Sequence, residues 1–117
     1  MNVVLIIEDN GDVAEYLKVS LQMEGCEAHV SETRDDAIAF MIRHGLPDII
    51  IMDWHMPGMG VEEFLYKLAQ LNPRLPRLIL MTAGENADDA ARKYNIPEVL
   101  RKPFTADQVL HQVDGCK

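Results

Sequence analysis

The chain contains an unbroken apolar run at residues 49–52 (IIIM) that leads directly to one carboxylate, Asp53, shortly before Pro57. An apolar run without polar alternation predicts a strand covered on both faces, as in a parallel sheet packed between two layers of helices. Open parallel sheets bind their ligands at the carboxyl ends of the strands, where Asp53 is expected. Such an aspartate can be a nucleophile, a metal ligand or a helix cap. The residues at the ends of the other strands are needed to decide between these roles.

The rest of the chain alternates short apolar strands with amphipathic helices. Val3–Ile7 is a continuous apolar run, and so is Leu78–Thr82 up to its polar last residue, whereas Cys26–Ser31 alternates and Val99 with Leu100 is very short. Five β/α units predict a parallel sheet with right-handed crossovers and helices on both faces. The continuous runs belong at the centre and the weaker ones at the edges, a distribution that the doubly wound order 2-1-3-4-5 satisfies. We therefore predict an α/β, flavodoxin-like fold with a five-stranded parallel sheet and five helices.

Polar residues indicate where the helices begin. Asp9 or Asp12 could cap the first helix instead of serving a site, and Thr105 with Gln108 fits a capping box at the start of the fifth. The fourth helix is expected at Asn86–Tyr94, where the residues available for burial are three alanines and one tyrosine. Because small side chains bury little area, this helix should be weakly anchored.

The length and the composition of the chain are those of one ordinary domain, residues 1–117. The formal net charge of −8 argues against nucleic acid as a direct partner, since phosphate binding depends on clustered Lys and Arg. We find no signal peptide and no apolar run approaching the ~20 residues that span a bilayer, so membrane insertion is not expected. Cys26 and Cys116 are far apart in sequence and are expected to be free thiols, which suits a cytoplasmic protein. The sequence makes no prediction of the oligomeric state.

Polar side chains follow four of the five predicted strands. Glu8 and Asp9 follow the first strand, Asp53 ends the third, Thr82 ends the fourth, and Lys102 follows the fifth. Taken singly, each of these residues usually has an ordinary structural role, as a cap, a turn residue or a solvated side chain. Their joint occurrence at one edge of the sheet instead predicts a functional site.

The chemistry of this residue set is constrained by charge. Clustered carboxylates repel one another unless a cation lies among them, and oxygen ligands suit Mg²⁺. An aspartate that binds a metal and faces a lysine can accept a phosphoryl group as an aspartyl phosphate. Mg²⁺ and Lys102 would neutralise the charge of the transferred oxygens, and the Thr82 hydroxyl could donate to one of them.

These motifs resemble the receiver domain of two-component response regulators, in particular the chemotaxis regulator. The resemblance covers the whole chain. It rests on Glu8-Asp9, on Asp53-Trp54-His55-Met56-Pro57, on Thr82-Ala83 and on Lys102-Pro103-Phe104.

The resemblance implies a regulatory phosphoacceptor rather than an enzyme. Asp53 would be phosphorylated by a sensor histidine kinase or a phosphotransfer protein, and the domain would shift to a state that binds a downstream protein effector. Asp9 and Asp53 would bind Mg²⁺ directly, Glu8 through water, and the backbone carbonyl of His55 would complete the protein ligands. By the same resemblance, Thr82 would move toward the phosphoryl group and Lys102 would pair with it.

Several residues depart from the family pattern. Glu8 stands where an aspartate is more usual, and Val99 stands where many receivers carry an aromatic residue that rotates on activation. Without that residue the output needs another readout, for which the fourth helix is a candidate. The segment Gly58–Val61 either lacks the aspartate of the usual Asp-Gly closure or has its glycine shifted by one residue. His55 would tune the lifetime of the phosphoryl group or would be a plain exposed loop residue.

Three other functions remain as alternatives. A magnesium-dependent phosphatase of the haloacid dehalogenase type requires a second aspartate two residues after the nucleophile, where this chain has His55. A flavin-binding module of flavodoxin type requires a hydroxyl- and glycine-rich phosphate-binding loop after the first strand. In this chain Glu8 and Asp9 stand there and would repel a phosphate. A pseudo-receiver kept only for docking would not need the full set of site residues. A stand-alone regulator and a receiver that belongs to a longer protein both fit the sequence.

Overall fold

The computed structural model describes residues 2–83, 87–96 and 98–113. Within these residues, strands and helices alternate along the chain. In order they are β1 (Val3–Ile7), α1 (Gly11–Met23), β2 (Glu27–Ser31), α2 (Arg34–His44), β3 (Ile49–Asp53), α3 (Val61–Leu71), β4 (Arg77–Thr82), α4 (Ala87–Lys93), β5 (Glu98–Arg101) and α5 (Ala106–Gln112).

The five strands form one parallel sheet in the order β2-β1-β3-β4-β5. The predicted α/β fold and strand order are therefore confirmed. The register places Ile7 of β1 beside Met52 of β3, and Asp53 beside Met81 of β4. As a consequence, the residues that follow β1, β3, β4 and β5 lie at the same edge of the sheet.

The sheet separates two apolar cores. Val4 and Ile6 face the core under α1 and α5, whereas Leu5 and Ile7 face the core under α2 and α3. Both cores need apolar partners from the central strands, so β1 and β3 are apolar at every position up to Asp53. Phe64 of α3 is completely buried, and burying a side chain of this kind contributes roughly 1.5–3 kcal/mol.

Helix α1 begins at a cap that the sequence prediction missed. Asn10 Oδ1 accepts hydrogen bonds from the backbone N–H groups of Asp12 (3.0 Å) and Val13 (3.2 Å). Asp9 and Asp12, which the sequence offered as possible caps, do not cap the helix; the side chain of Glu8 accepts the N–H of Asn10 and helps to hold that residue at the helix start. The Asp9 carboxylate is thus not occupied by capping.

The capping box predicted for α5 is confirmed. The Thr105 hydroxyl accepts the N–H of Gln108 at 3.2 Å, and the Gln108 side chain accepts the N–H of Thr105 at 2.8 Å. The fourth helix, predicted at residues 86–94, spans Ala87–Lys93, and its predicted first residue, Asn86, lies outside the described residues.

Two structural features bear on the cellular location: the state of Cys26 and the character of the helices. Cys26 is buried and disulfide-bonded, so the prediction of a free thiol there is wrong. Distance in sequence does not limit which cysteines meet in a folded chain, and Cys116 lies outside the described residues. In the described part of the chain, no helix has the length and apolar character needed to cross a membrane.

Candidate functional site

Asp53 ends β3 with its carboxylate held from two sides. The N–H of Trp54 donates to the carbonyl of Met81 at 2.8 Å, which continues the β3–β4 pairing just past Asp53. The N–H of His55 then donates to Asp53 Oδ1 at 3.1 Å. The other carboxylate oxygen, Oδ2, accepts a hydrogen bond from Lys102 at 3.2 Å. With only 5% of the residue exposed, the carboxylate has a fixed orientation at the edge of the sheet.

Glu8 is a second buried carboxylate beside the first. Its N–H donates to the carbonyl of Ser31 at 3.1 Å, which continues the β1–β2 pairing, and only 1% of the residue is exposed. Glu8 Oε1 accepts the N–H of Asn10 at 3.1 Å, and Oε2 accepts Lys102 Nζ at 3.1 Å. Both oxygens of a carboxylate in such surroundings need a donor, and here each has one.

Lys102 connects the two carboxylates. Its backbone N–H donates to the carbonyl of Thr82 at 2.9 Å, so the pairing of β4 with β5 sets the position of its main chain. Its ammonium lies 3.1 Å from Glu8 Oε2 and 3.2 Å from Asp53 Oδ2, and 24% of the side chain is exposed. One cation thus bridges two carboxylates that would otherwise repel each other.

The pKa values reflect this arrangement. Burial raises the pKa of Glu8, the hydrogen bond from Asn10 lowers it, the charge of Asp53 raises it, and the net result is a raised pKa. Partial burial would lower the pKa of Lys102, but hydrogen bonds to Glu8 and Asp53 outweigh this effect and raise it. The lysine is therefore held in its charged form.

Asp9 completes a group of three carboxylates. Glu8, Asp9 and Asp53 each offer one carboxylate oxygen, and these three atoms lie within 4.8 Å of one another. Unlike the other two, Asp9 is exposed to solvent. Carboxylate oxygens that converge at an open edge match the ligand preference of Mg²⁺, which keeps several of its waters when a protein binds it. The donor set therefore fits a hard divalent cation.

Thr82 and His55 lie at the same edge of the sheet. Thr82 is the last residue of β4 and is buried, and its carbonyl fixes the main chain of Lys102. The imidazole of His55 is exposed, in an edge-on arrangement with the Trp54 ring at 6.5 Å between centroids. The roles assigned to the Thr82 hydroxyl and the His55 carbonyl remain predictions.

Arg34, the first residue of α2, is a site residue that the sequence analysis missed. Only 3% of it is exposed, and its guanidinium donates to the carbonyls of Asp53 (2.9 Å), Trp54 (3.0 Å) and Met59 (2.8 Å). Burial lowers the pKa of Arg34, and the charge of Asp53 opposes this effect. No sequence signal marks it, since an arginine in the first turn of an amphipathic helix is usually exposed.

A second contact that the sequence did not predict joins the site to α4. The rings of Trp54 and Tyr94 pack with 5.5 Å between their centroids. Both rings help to line a shallow groove of about 450 Å³ next to His55 and Arg34. The residue that follows Asp53 therefore touches the residue that follows α4.

Known proteins share both the sequence pattern and the fold. The family model described as the response regulator receiver domain matches residues 4–114. A response regulator receiver protein of Anaeromyxobacter sp. is 31% identical over 107 residues, which cover 91% of this chain and 44% of that protein. TcrX, a probable transcriptional regulatory protein of Mycobacterium tuberculosis, is 30% identical over 109 residues, covering 92% of this chain and 46% of that protein. The chain thus spans less than half the length of these two relatives.

Solved structures agree. A putative response regulator from Chloroflexus aurantiacus superposes with a TM-score of 0.83 at 26% identity, covering 97% of this chain and 94% of that one. The chemotaxis protein CheY4 of Vibrio cholerae superposes with a TM-score of 0.84 at 22% identity over 97% of each chain, a likeness of fold. With the family match over nearly its whole length, the chain belongs to the response regulator receiver domains of two-component signalling.

Proposed function

We propose that the chain is a phosphoacceptor whose Asp53 takes a phosphoryl group from a histidine of a sensor kinase or a phosphotransfer protein. The observation that supports this most is the position of Lys102 Nζ, within 3.2 Å of both Glu8 and Asp53 at the edge of the sheet. A cation held beside a buried carboxylate stabilises the charge that develops on transferred oxygens. We take residues 1–117 as one receiver domain.

The transfer is a substitution at phosphorus. An oxygen of the Asp53 carboxylate forms a bond to phosphorus while the P–N bond to the donor imidazole breaks. The imidazole leaves with the electron pair and takes a proton from solvent, and Asp53 becomes an acyl phosphate. Lys102 then pairs with the phosphoryl oxygens, and the Thr82 hydroxyl donates to one of them.

Glu8, Asp9, Asp53 and the carbonyl of His55 would hold Mg²⁺. Bound there, Mg²⁺ would supply positive charge that stabilises the phosphoryl oxygens. The residues of the chain favour such a cation, because three carboxylates converge at the point where Lys102 contributes one positive charge. In keeping with the family resemblance, Glu8 would act through a water rather than by direct contact.

The consequence of phosphorylation is regulatory. The phosphoryl group would shift the domain toward a state that binds a downstream protein effector, so the chain assists its own modification without being an enzyme with a separate substrate. Moving the domain from nearly off to nearly on requires the phosphoryl group to favour one state by about 5.5 kcal/mol. Because Val99 is aliphatic, the shift would be read out elsewhere than at an aromatic side chain of β5.

We propose the cytoplasm as the location, since kinases that use ATP supply the phosphoryl group there. The acidic charge of −8 supports a protein partner rather than nucleic acid. The disulfide of Cys26 is uncommon for a cytosolic protein, so the proposal rests on the phosphoryl chemistry and not on the cysteines.

Intact-mass measurement after incubation with acetyl phosphate and Mg²⁺ tests the function. We expect a mass gain of one phosphoryl group that disappears with EDTA and in Asp53→Asn. Asp107→Asn, which changes an exposed aspartate of α5, serves as the matched control and should be phosphorylated normally. If the folded wild-type protein binds Mg²⁺ and gains no mass, the proposal is wrong and the pseudo-receiver alternative takes its place.

A further inference from the structure

Arg34 approaches Asp53 from the side of α2, whereas Lys102 approaches it from β5. Lys102 contacts carboxylate oxygens, but Arg34 contacts the main chain: the carbonyls of Asp53, Trp54 and Met59. Its Nε also donates to Met52 Sδ at 3.4 Å. Four of the five N–H donors of the guanidinium thus have a partner in the segment from Met52 to Met59.

A guanidinium is planar and rigid, so its donors fix the relative positions of the groups that they bind. Here the bound carbonyls belong to the end of β3 and to residue 59, immediately before α3 begins near Gly60. Gly58 in between has a φ of +90°, a conformation that glycine adopts readily and that gives the segment little stiffness of its own. Arg34 therefore ties together both ends of the loop that follows Asp53.

The same loop contains His55. Its N–H bonds Asp53 Oδ1 at 3.1 Å, and the residue before it, Trp54, is held through its carbonyl by Arg34. One hydrogen bond that orients the Asp53 carboxylate thus comes from a stretch of main chain that Arg34 holds, and the carbonyl of His55 belongs to the same stretch.

Stability alone does not account for this residue. Burying a charged guanidinium to 3% exposure carries a desolvation penalty that an apolar side chain of similar size would avoid. The bonds to three carbonyls offset that penalty and provide geometry that an apolar side chain cannot.

We propose that Arg34 is a positioning residue that holds the loop from Asp53 to Met59 in the shape that binds Mg²⁺ and accepts the phosphoryl group. The inference rests on the proposed function for its second half, the phosphoryl transfer. Its first half concerns the shape of the loop and the affinity for Mg²⁺, which can be measured without any transfer.

The test compares Arg34→Lys and Arg34→Gln with the wild-type protein. Lysine keeps the positive charge but lacks the planar, forked set of N–H donors of the guanidinium, and glutamine keeps one amide donor group without charge. The control is Leu21→Ala, a fully buried α1 residue in the core on the other face of the sheet, which lowers stability without touching the loop. Affinity for Mg²⁺ is read from the fluorescence of Trp54, the only tryptophan of the chain and the neighbour of Asp53.

We expect both Arg34 variants to raise the Kd for Mg²⁺ by about 10- to 100-fold, as is typical when a group that orients metal ligands is removed. The variants should also lower the rate of phosphorylation by acetyl phosphate at a fixed Mg²⁺ concentration. In EDTA, the amides of Trp54 and His55 should exchange with solvent faster than in the wild type. Leu21→Ala should change the Kd less than about 2-fold. A Kd for Arg34→Lys within 2-fold of the wild-type value would overturn the proposal.

The outcomes separate this inference from the proposed function. If the wild type binds Mg²⁺ without being phosphorylated and the Arg34 variants bind it weakly, the function fails and the positioning role stands. If the wild type is phosphorylated and the Arg34 variants match it in both phosphorylation and Kd for Mg²⁺, the positioning role alone fails. If the wild type binds no Mg²⁺, both fail. Should both Arg34 variants unfold, hydrogen exchange of the wild type decides. The proposal then requires the amide of His55, which lies beyond the β3–β4 pairing, to be protected in EDTA as strongly as that of Ile51, and rapid exchange refutes it.

Discussion

Replacing Lys102 with methionine removes the cation between two carboxylates and should destabilise the protein. The ammonium lies 3.1 Å from Glu8 Oε2 and 3.2 Å from Asp53 Oδ2. Methionine has a similar length and no charge. In Lys102→Met, the buried Glu8 would face the charge of Asp53 with its Oε2 lacking a donor.

The expected loss follows from these distances. At an effective dielectric constant of about 20, each contact contributes about 5 kcal/mol before the desolvation of the ammonium is counted. Removing one partner of a buried ion pair generally lowers the free energy of unfolding by about 3–5 kcal/mol. Because 24% of the Lys102 side chain is exposed, we expect a smaller loss of about 2–3 kcal/mol at pH 7 without metal. Urea unfolding followed by circular dichroism measures it.

Two controls isolate the cause. Lys102→Met should cost less stability in a Glu8→Gln background than in the wild type, because one of the two carboxylates has lost its charge. The two losses in the free energy of unfolding should differ by at least about 1 kcal/mol. Lys67→Met, which removes an exposed lysine paired with Glu63 on α3, should change it by less than about 0.5 kcal/mol. An equal loss for Lys102→Met in both backgrounds would refute the bridging role of the ammonium.

Three further predictions concern the core, the β4–β5 pairing and the metal. Phe64→Ala, at a fully buried position of α3, should lower the free energy of unfolding by about 3–5 kcal/mol in urea titrations. A hydrogen bond from Arg77 holds the pKa of Glu98 below its usual 4.5, so the carboxylate stabilises the fold above pH 4.5 and this contribution is lost as the pH falls through the lowered pKa. Glu98→Gln should therefore be less stable than the wild type by about 1 kcal/mol at pH 7, and the difference should vanish in acid. Mg²⁺ at about 100 times its Kd should stabilise the wild type by about 2.7 kcal/mol, seen as a higher Tm, and should have a much smaller effect on Asp53→Asn.

The strand order could be predicted because burial on both faces leaves a direct trace in the sequence. Val4 to Ile7 of β1 and Ile49 to Met52 of β3 are all apolar because each face of the sheet carries a core. The edge strands β2 and β5 have fewer buried residues and shorter apolar runs. The position of Glu8, Asp53 and Lys102 at one edge then follows from the parallel arrangement of the strands.

The details that the sequence did not reveal depend on contacts between distant segments. Asp9, Asn10 and Asp12 are all chemically able to cap α1; in the fold Asn10 is the cap, and its own N–H is bonded to the Glu8 side chain. Arg34 is buried because three carbonyls from another part of the chain face it, and carbonyls leave no trace in side-chain patterns. The disulfide of Cys26 was missed for a similar reason, since spacing along the chain says little about distance in the fold.

The central claim is that Asp53 itself carries the phosphoryl group. Borohydride reduces an acyl phosphate to an alcohol, so treatment of the phosphorylated protein followed by peptide mass spectrometry identifies the modified carboxylate. We expect the reduced product, homoserine, at position 53 and at no other acidic residue. Reduction at Glu8 or Asp9 instead, or an unmodified position 53 in protein that has gained the phosphoryl mass, would contradict the assignment of Asp53 as the acceptor.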